Sequence, residues 1–361
     1  MQTDASDKVS SCVSAPDVLT DIAERVTSRL EGILASEIER WGGLDLDLVP
    51  PLASLNRLVM SGGKRLRAAF CHWSFVGAGG DPLDSQALDA AAAFELLQVF
   101  ALIHDDVMDN SATRRGIPTV HVEFAERHDQ EDWRGEAENF GEGVAILVGD
   151  VAHVYADRLM TGMPIQAAEI WHELRIEVNI GQYLDLLGTV RGDTDLAAAQ
   201  RISRYKSGKY TIERPLHLGV ALLGRLPELQ DQLDRYGVPL GEAFQLRDDL
   251  LGVFGQPELT GKPIGEDLRE GKPTPLLAIA TAKATPGERE VLATVGKADL
   301  SEREIARIQQ VLEDTGARDV VNASVDRLTT QAAASLADAP LEKVALDALA
   351  DLATYVGCRD E

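Results

Sequence analysis

Only three cysteines occur in 361 residues: Cys12, Cys71 and Cys358, far apart and odd in number. That excludes a disulfide framework and a zinc-type spacing, and it fits a reducing cytoplasm. Positive charge is scarce too. Thirty-five lysines and arginines stand against 59 aspartates and glutamates, a formal net charge of -24. Nucleic acid and an anionic membrane surface are thereby excluded as general partners. Basic residues that do cluster become locally informative. Aromatics make up 5% of the chain and alanine is frequent, which favours closely packed helices. Long uninterrupted apolar runs are missing. The greasiest stretch, 87–103, is broken by Asp89, Glu95 and Gln98, so it reads as a buried helix and not a membrane span. The opening MQTDASDKVSSCVSAPD has no basic region followed by an apolar segment, so no secretory leader is expected. The closing CRDE lacks the aliphatic pair of a prenylation box.

What the chain does have is helical periodicity. Residues 1–16 are small and polar and are expected to be disordered. Then Val18, Ile22, Val26, Leu30, Leu34 and Ile38 recur at four-residue steps, an amphipathic helix. Asp84 or Ser85 should cap the helix built on the 87–103 stretch. Residues 196–224 read as helix up to an interruption at Pro215, and 302–316 and 325–337 as further amphipathic helices. No sustained period-two alternation announces a sheet. Length alone suggests two or three domains, yet the pattern predicts one all-α domain over 17–361. Two segments depart from it. Glu126–Gly143 is acidic and glycine-containing and is expected to be a surface loop. Gly255–Pro275 holds four glycines and four prolines and should be a long ordered loop serving a site, with Lys262, Arg269 and Lys272 on it.

One stretch, ALIHDDVMDN, puts Asp105, Asp106 and Asp109 at the end of a greasy helix. Asp105 and Asp109 share a face; Asp106 lies about 100° round. Unpaired carboxylates there repel one another and resist burial. A second stretch, FQLRDDLLGVFG, repeats the motif with Asp248 and Asp249, and Gln245 three residues earlier. Two acidic clusters on separate apolar helices suggest helices facing across a cavity. Hard oxygen donors with open positions suit Mg²⁺ shared with phosphates. Basic sets surround them: Lys64, Arg65 and Arg67; Arg114 and Arg115; Lys206 and Lys209; and the loop lysines. A diphosphate facing bare carboxylates would be repelled by about 4 kcal/mol per close pair at an effective dielectric of about 20, and bridging divalent ions invert that sign. The aspartates are therefore read as holding Mg²⁺ against a diphosphate. His104 faces away from Asp105 and reads as a packing or hydrogen-bonding residue, and Arg65 as a solvated neighbour of the basic set.

Together GGKRLR, ELLQVFALIHDDVMDNSATRRGIPTVH, GQYLDLLG, YKSGKY and FQLRDDLLGVFGQPELTGKPIGEDLREGK resemble the trans-isoprenyl diphosphate synthases of the polyprenyl synthetase family, most of all bacterial members that make geranylgeranyl diphosphate. The likeness runs over roughly residues 20 to 350, and five motifs in this order are specific. It implies an isoprenoid-synthase helical bundle around a deep central cavity and a homodimer. It also implies Mg²⁺, three ions, held by Asp105, Asp106 and Asp109 on the first helix and by Asp248 and Asp249 on the second. By the same resemblance Lys64, Arg67, Gln98 and Arg115 hold isopentenyl diphosphate, and Arg114, Lys206, Ser207, Gln245, Lys262 and Lys272 hold the allylic diphosphate. Asp105, Asp109, Asp248, Lys206 and Gln245 then carry the chemistry, with Tyr183 and Asp185 as possible support. The chain departs from the family pattern at Gly252, where a third aspartate is usual; the departure touches a water-mediated metal contact and leaves Asp248 as the main ligand.

Product length is expected to be set along the first aspartate helix. Ala101 lies one turn before Asp105, Phe100 beside it and Leu97 a further turn away. One turn is about 5.4 Å, close to an isoprene unit. A small Ala101 next to an aromatic resembles family members making the C20 product, with C15 or longer products as the alternatives. Other classes fit less well. A His-Asp phosphohydrolase needs more histidine ligands than the seven scattered here supply. A terpene cyclase carries a different second metal motif, and a non-catalytic synthase subunit usually loses the carboxylates or lysines that this chain keeps.

Overall fold

The computed structural model describes residues 14–192, 194–255 and 265–359. Expectations for residues 1–13 and for Lys262 lie outside the described residues. The described chain is helical apart from one two-stranded ribbon. Helices α1 (Asp17–Gly42), α2 (Val49–Met60), α3 (Leu66–Gly77) and α4 (Ser85–Met108) lead into the ribbon. Then come α5 (Val120–Gln130), α6 (Ala137–Leu159), α7 (Ile165–Arg191) and α8 (Leu196–Ser203). A π-helical segment, Arg204–Glu213, runs into α9 (Arg214–Ala221) and α10 (Leu226–Phe254). The remainder is α11 (Glu266–Glu270), α12 (Pro275–Lys283), α13 (Pro286–Leu292), α14 (Glu302–Asp314), α15 (Ala317–Ser335) and α16 (Lys343–Cys358).

Helix α4 is the axis of the fold. Its Asp84 cap accepts from the Ala87 N–H, satisfying a donor that a helix start leaves open. Four consecutive alanines, Ala90–Ala93, are fully buried and let neighbouring backbones come close. α4 packs on α6 and α3 and touches α1, α2 and α9. It is long and apolar enough to cross a membrane, but most of its greasiest window is buried in protein, as a central core helix requires. One apolar cluster joins α1–α7, α9, α10 and α16; a second joins the end of α10 to α12, α14 and α15.

Several expectations need correction. On α1 Ile22, Val26, Leu30 and Leu34 are buried as expected, but Leu19 and Glu37, not Val18 and Ile38, complete the stripe. A strict four-residue step drifts about 40° per step on a 3.6-residue helix, so the stripe takes three-residue steps at its ends. The 126–143 segment is not one loop. α5 runs to Gln130 and α6 starts at Ala137. Gly141 lies inside α6, where a Cβ would stand 2.1 Å from the His121 carbonyl oxygen; it permits close helix packing and marks no turn. Pro215 does not interrupt the helix either. It occupies the first turn of α9, where a missing N–H costs nothing.

The ribbon pairs Thr113–Arg114 with Ile117–Pro118, antiparallel. Arg115 (φ 53°) and Gly116 (φ 75°) form its turn, both left-handed as the twist of a two-residue hairpin demands. It places two arginines directly beyond the end of α4.

Candidate active site

A cavity of about 910 Å³ opens between α3, α4, α7, the π segment, α10 and α16. Of the residues singled out in the sequence, Lys64, Arg67, Gln98, Ala101, Asp105, Arg114, Arg115, Lys206, Ser207, Gln245, Asp248, Asp249 and Lys272 line it. Asp105 and Asp248, 143 positions apart by subtraction of their numbers, thus share one space.

The first acidic cluster is wired to cations from distant elements. Asp105 Oδ1 accepts from Gln182 Nε2 at 2.8 Å and from Lys206 Nζ at 3.2 Å. Lys206 also donates to Asp185 at 2.6 Å. Lys272 Nζ lies 3.4 Å from Asp109 Oδ2 and 3.7 Å from Asp267 Oδ1, and 2.5 Å from Glu270 Oε2. Burial opposes the charge of Asp105, but Lys206, Lys272 and Arg114 outweigh it and hold this carboxyl well below the usual range. Asp109 goes the other way: burial and then the Asp105 charge push it up, against Lys272 and Lys206. Burial disfavours the Lys272 ammonium, yet Asp267, Glu270, Asp105 and Asp109 together hold it charged far above its ordinary range.

Asp106 is turned aside. It is 2% exposed and takes two donors from Arg114, Nε at 2.8 Å and a terminal nitrogen. Of the three aspartates only Asp105 lines the cavity; Asp109 reaches Lys272 at its edge, while Asp106 is spent on Arg114. The structure therefore separates Asp106 from the Asp105–Asp109 face, as the 100° step requires, and gives it the role of fixing Arg114.

The second cluster is less satisfied. Gln245 Nε2 donates to Asp249 Oδ1 at 2.8 Å. Asp249 Oδ2 and Gln245 Oε1 are buried and have no hydrogen-bond partner among the described residues. Burial, reinforced by the charges of Asp267, Asp248 and Asp185, pushes the Asp249 carboxyl far above the usual range despite Gln245. Asp248 is about half exposed and receives Arg359 at 2.5 Å. That arginine comes from just beyond α16, is 4% exposed, also donates to the Phe244 carbonyl, and lies 4.2 Å over the Phe244 ring.

The other basic residues of the cavity have their own supports. Arg67 donates to Thr211 and lies 4.3 Å over the Tyr210 ring. Arg115 donates to the Gly62 carbonyl, which holds its left-handed backbone in place. Arg65 corrects the expectation of a solvated neighbour: it is 4% exposed, donates to Glu95 at 2.8 Å and to the Val59 carbonyl at 2.7 Å. It answers the acid that interrupts the apolar run of α4. Arg65 and Glu95 both line the cavity, whereas Lys209 turns away from it, onto Glu177. Within the π segment, Lys206 and Ser207 line the cavity; π turns recur at functional sites. The segment fits against α7 at Gly181, where a Cβ would stand 2.4 Å from the Lys206 nitrogen.

Of the three length-setting candidates, Ala101 lines the cavity. Leu97 is 1% exposed in the core. Phe100 stacks on His153 at 4.7 Å and meets His104 edge-on at 4.7 Å. His104 bonds the Ile146 carbonyl oxygen at 3.0 Å, the packing and hydrogen-bonding place expected of it. Sequence reasoning missed Gln182, Asp267 and Arg359. Gln182 had a signal, three residues before Asp185 on one helix face; Arg359 had none.

Comparison with known proteins places this geometry. The polyprenyl synthetase family model matches residues 52–314. A geranylfarnesyl diphosphate synthase of Aeropyrum pernix is 36% identical over 276 residues, 74% of this chain and 80% of that protein. A geranylgeranyl diphosphate synthase of Mycobacterium tuberculosis is 33% identical over 290 residues, 77% and 76% of the two chains. The crystal structure of geranylgeranyl pyrophosphate synthase from Corynebacterium glutamicum, complexed with isoprenyl diphosphate and magnesium, superposes with a TM-score of 0.89 at 38% identity, covering 94% of this chain and 99% of that one.

Proposed function

This chain belongs to the polyprenyl synthetase family, as a trans-prenyl diphosphate synthase, and we propose that it joins isopentenyl diphosphate head-to-tail to allylic diphosphates with geranylgeranyl diphosphate (C20) as product. One arrangement carries this: Asp105 and Asp248 open onto a single cavity that also takes in Lys64, Arg67, Arg115, Lys206 and Lys272. Acid clusters and cations lining one cavity suit a ligand that is itself anionic and arrives with divalent metal.

The donors fit Mg²⁺. They are carboxylate oxygens throughout, and Asp249 Oδ2 is buried without a partner among the described residues, a cost that a bound cation would offset. Asp105 and Asp109 on α4, and Asp248 with Asp249 on α10, would hold the three ions of the family pattern. Mg²⁺, when bound, neutralises the allylic diphosphate and makes it a better leaving group. Lys206, Arg114 and Lys272 add fixed positive charge where the departing diphosphate gathers its negative charge. Gln245 orients it from α10. Lys64, Arg67, Gln98 and Arg115 hold isopentenyl diphosphate. The allylic C–O bond breaks, and the isopentenyl double bond forms the new carbon–carbon bond to the allylic carbon. A proton then leaves to the released diphosphate. Ala101, Leu102, Val178 and Ile202 line the cavity and keep water from the cation.

The product grows along α4. Ala101, without bulk, leaves the first turn open, and Leu97 and Phe100 close the channel further in. The chain works as a homodimer: Leu147 and Val154 on α6 and Ile176, Ile180 and Tyr183 on α7 are exposed, Leu147 to 65% and Tyr183 to 63%. Exposed apolar side chains on these two successive helices support that reading.

The test is product chromatography after incubation with isopentenyl diphosphate and C5, C10 or C15 allylic primers, with and without Mg²⁺. Mg²⁺-dependent C20 product is expected. Phosphate release without elongation, or a cyclic hydrocarbon, would overturn the function. Ala101→Phe is expected to shorten the main product to C15, and Phe100→Ser to lengthen it. Unchanged length in both variants would remove the length assignment.

A further inference from the structure

Away from the cavity, three side chains able to ligate a metal converge where the π segment and α9 pack on α10. Glu213 ends the π segment, His217 follows four residues on in α9, and Asp234 faces them from α10. Their ligand atoms all lie within 4.8 Å of one another, and none of the three lines the cavity. His217 is buried, and its Nε2 stands 2.8 Å from Asp234 Oδ1. Glycines let the elements come this close. A Cβ on Gly237, three residues beyond Asp234, would stand 3.0 Å from Leu216 Cδ1 and 3.4 Å from Glu213 Cα. A turn further along α10, a Cβ on Gly241 would stand 2.8 Å from the Gly208 carbonyl oxygen.

A histidine bonded to an aspartate is by itself a structural tie. Glu213 is what that tie leaves over. It is 7% exposed, yet its carboxylate makes no hydrogen bond or ion pair among the described residues. Arg214 beside it feels its charge but gives its guanidinium bonds to Glu177. The His217 hydrogen bond, against burial and aided by the charges of Arg214 and Arg204, holds the Asp234 carboxyl below the usual range. A buried acid without a partner, aimed at a second acid and an imidazole, calls for a cation. We infer that Glu213, His217 and Asp234 form a second metal site, one for a divalent transition ion such as Zn²⁺. An imidazole nitrogen with two carboxylates suits that class, whereas the oxygen-only clusters of the cavity suit Mg²⁺. An ion bound at about 2.0–2.2 Å holds its donors no more than about 4.4 Å apart, so small side-chain shifts close the site. His217 Nε2 then turns its lone pair to the ion, and the ring carries its proton on Nδ1. The Asp234 side chain is 36% exposed, which leaves a way in and an open position for water. The π segment carries Lys206 and Ser207, and α10 carries Gln245 and Asp248. The ion clips together the two elements that place these residues. The inference is independent of the function proposed above.

The test is equilibrium dialysis of the full-length protein against Zn²⁺ in excess Mg²⁺, with zinc X-ray absorption to report the ligands. One Zn²⁺ per chain is expected to stay bound, with one imidazole in its shell. The carboxylates of the cavity cannot supply that imidazole. Glu213→Gln keeps the side chain's shape and breaks no bond described above. It is expected to weaken Zn²⁺ at least about 100-fold, since changes merely next to a ligand already cost about 10–100-fold, with a normal metal-free melt. Asp234→Asn should weaken it similarly. Asp105→Asn combined with Asp248→Asn should leave this Zn²⁺ in place. Zn²⁺ should also raise the melting temperature of the wild type and not that of Glu213→Gln, because a ligand stabilises only the fold that binds it. No Zn²⁺ retained in excess Mg²⁺, a bound ion without imidazole, or wild-type affinity in Glu213→Gln overturns the site. So does loss of the ion in the Asp105 and Asp248 double variant, which would place it in the cavity. Should Glu213→Gln fail to fold, Asp234→Asn, altered at a part-exposed side chain, decides by the same readings.

Discussion

Glu177 and Asp185 sit eight residues apart on α7, both buried, and lead to opposite kinds of charge cluster. Glu177 takes Lys209 and Arg214: Oε1 accepts from both, and Oε2 accepts from Arg214 Nε at 2.7 Å. Both oxygens have partners. Burial opposes its charge, but Arg214 and Lys209 hold the carboxyl below the usual range. Two turns on, Asp185 shares Lys206 with Asp105, and Lys272 is divided among Asp109, Asp267 and Glu270. There the acids outnumber the cations, and Asp109 and Asp249 are pushed up instead of down. One cluster is complete and ties α7 to the π segment and α9. The other is short of positive charge in the cavity where a cation and a diphosphate would complete it. A buried acid with every oxygen answered is a structural tie, whereas an acid left short of partners points to function.

This contrast can be broken or sharpened by substitution. The largest effect belongs to Asp248→Asn, which should lower elongation about 10³-fold, ~4 kcal/mol of barrier, while the melt without Mg²⁺ shifts only by what loss of the half-exposed Arg359 pair accounts for, about 1 kcal/mol. Steady-state rates beside a melt decide it; a loss of stability well beyond that would place Asp248 among the structural ties. Next is Glu177→Ala, which leaves the Lys209 and Arg214 charges buried and unpaired. It should cost about 3 kcal/mol of unfolding free energy in denaturant melts, while the Mg²⁺ requirement of surviving activity stays put. Smallest is Asp249→Asn. Removing an acid that burial and its neighbours already disfavour should raise unfolding free energy by about 1 kcal/mol even as elongation falls. A destabilised Asp249→Asn would show that the cavity cluster is held together as completely as the Glu177 one.

Much of the site is legible in the sequence because it depends on spacing along one helix. Asp105 and Asp109 share a face by the helical period, Ala101 precedes them by one turn, and the apolar 87–103 run has to be buried. Chemistry suggests that the two acid clusters meet, but spacing along the chain carries no information about that encounter. The failures have physical causes. Gly141 reads locally as a loop signal, whereas it lets α6 approach the His121 carbonyl. Arg65 looks solvated because its partner Glu95 is thirty residues away. Arg359 reaches Asp248 from 111 residues further along the chain, and no local pattern encodes that contact. Asp267 lies within a recognised motif, but its closeness to Gly252 is visible only in three dimensions.

The central claim is that aspartates from α4 and α10 act as one metal-dependent diphosphate site. Calorimetric titration of inorganic pyrophosphate into the wild type, Asp105→Asn, Asp248→Asn and the double variant, each with and without Mg²⁺, tests it most directly. The account predicts Mg²⁺-dependent binding that either single substitution abolishes, with the double variant no weaker than the singles. Mg²⁺-dependent binding that survives in both single variants at wild-type strength would contradict it.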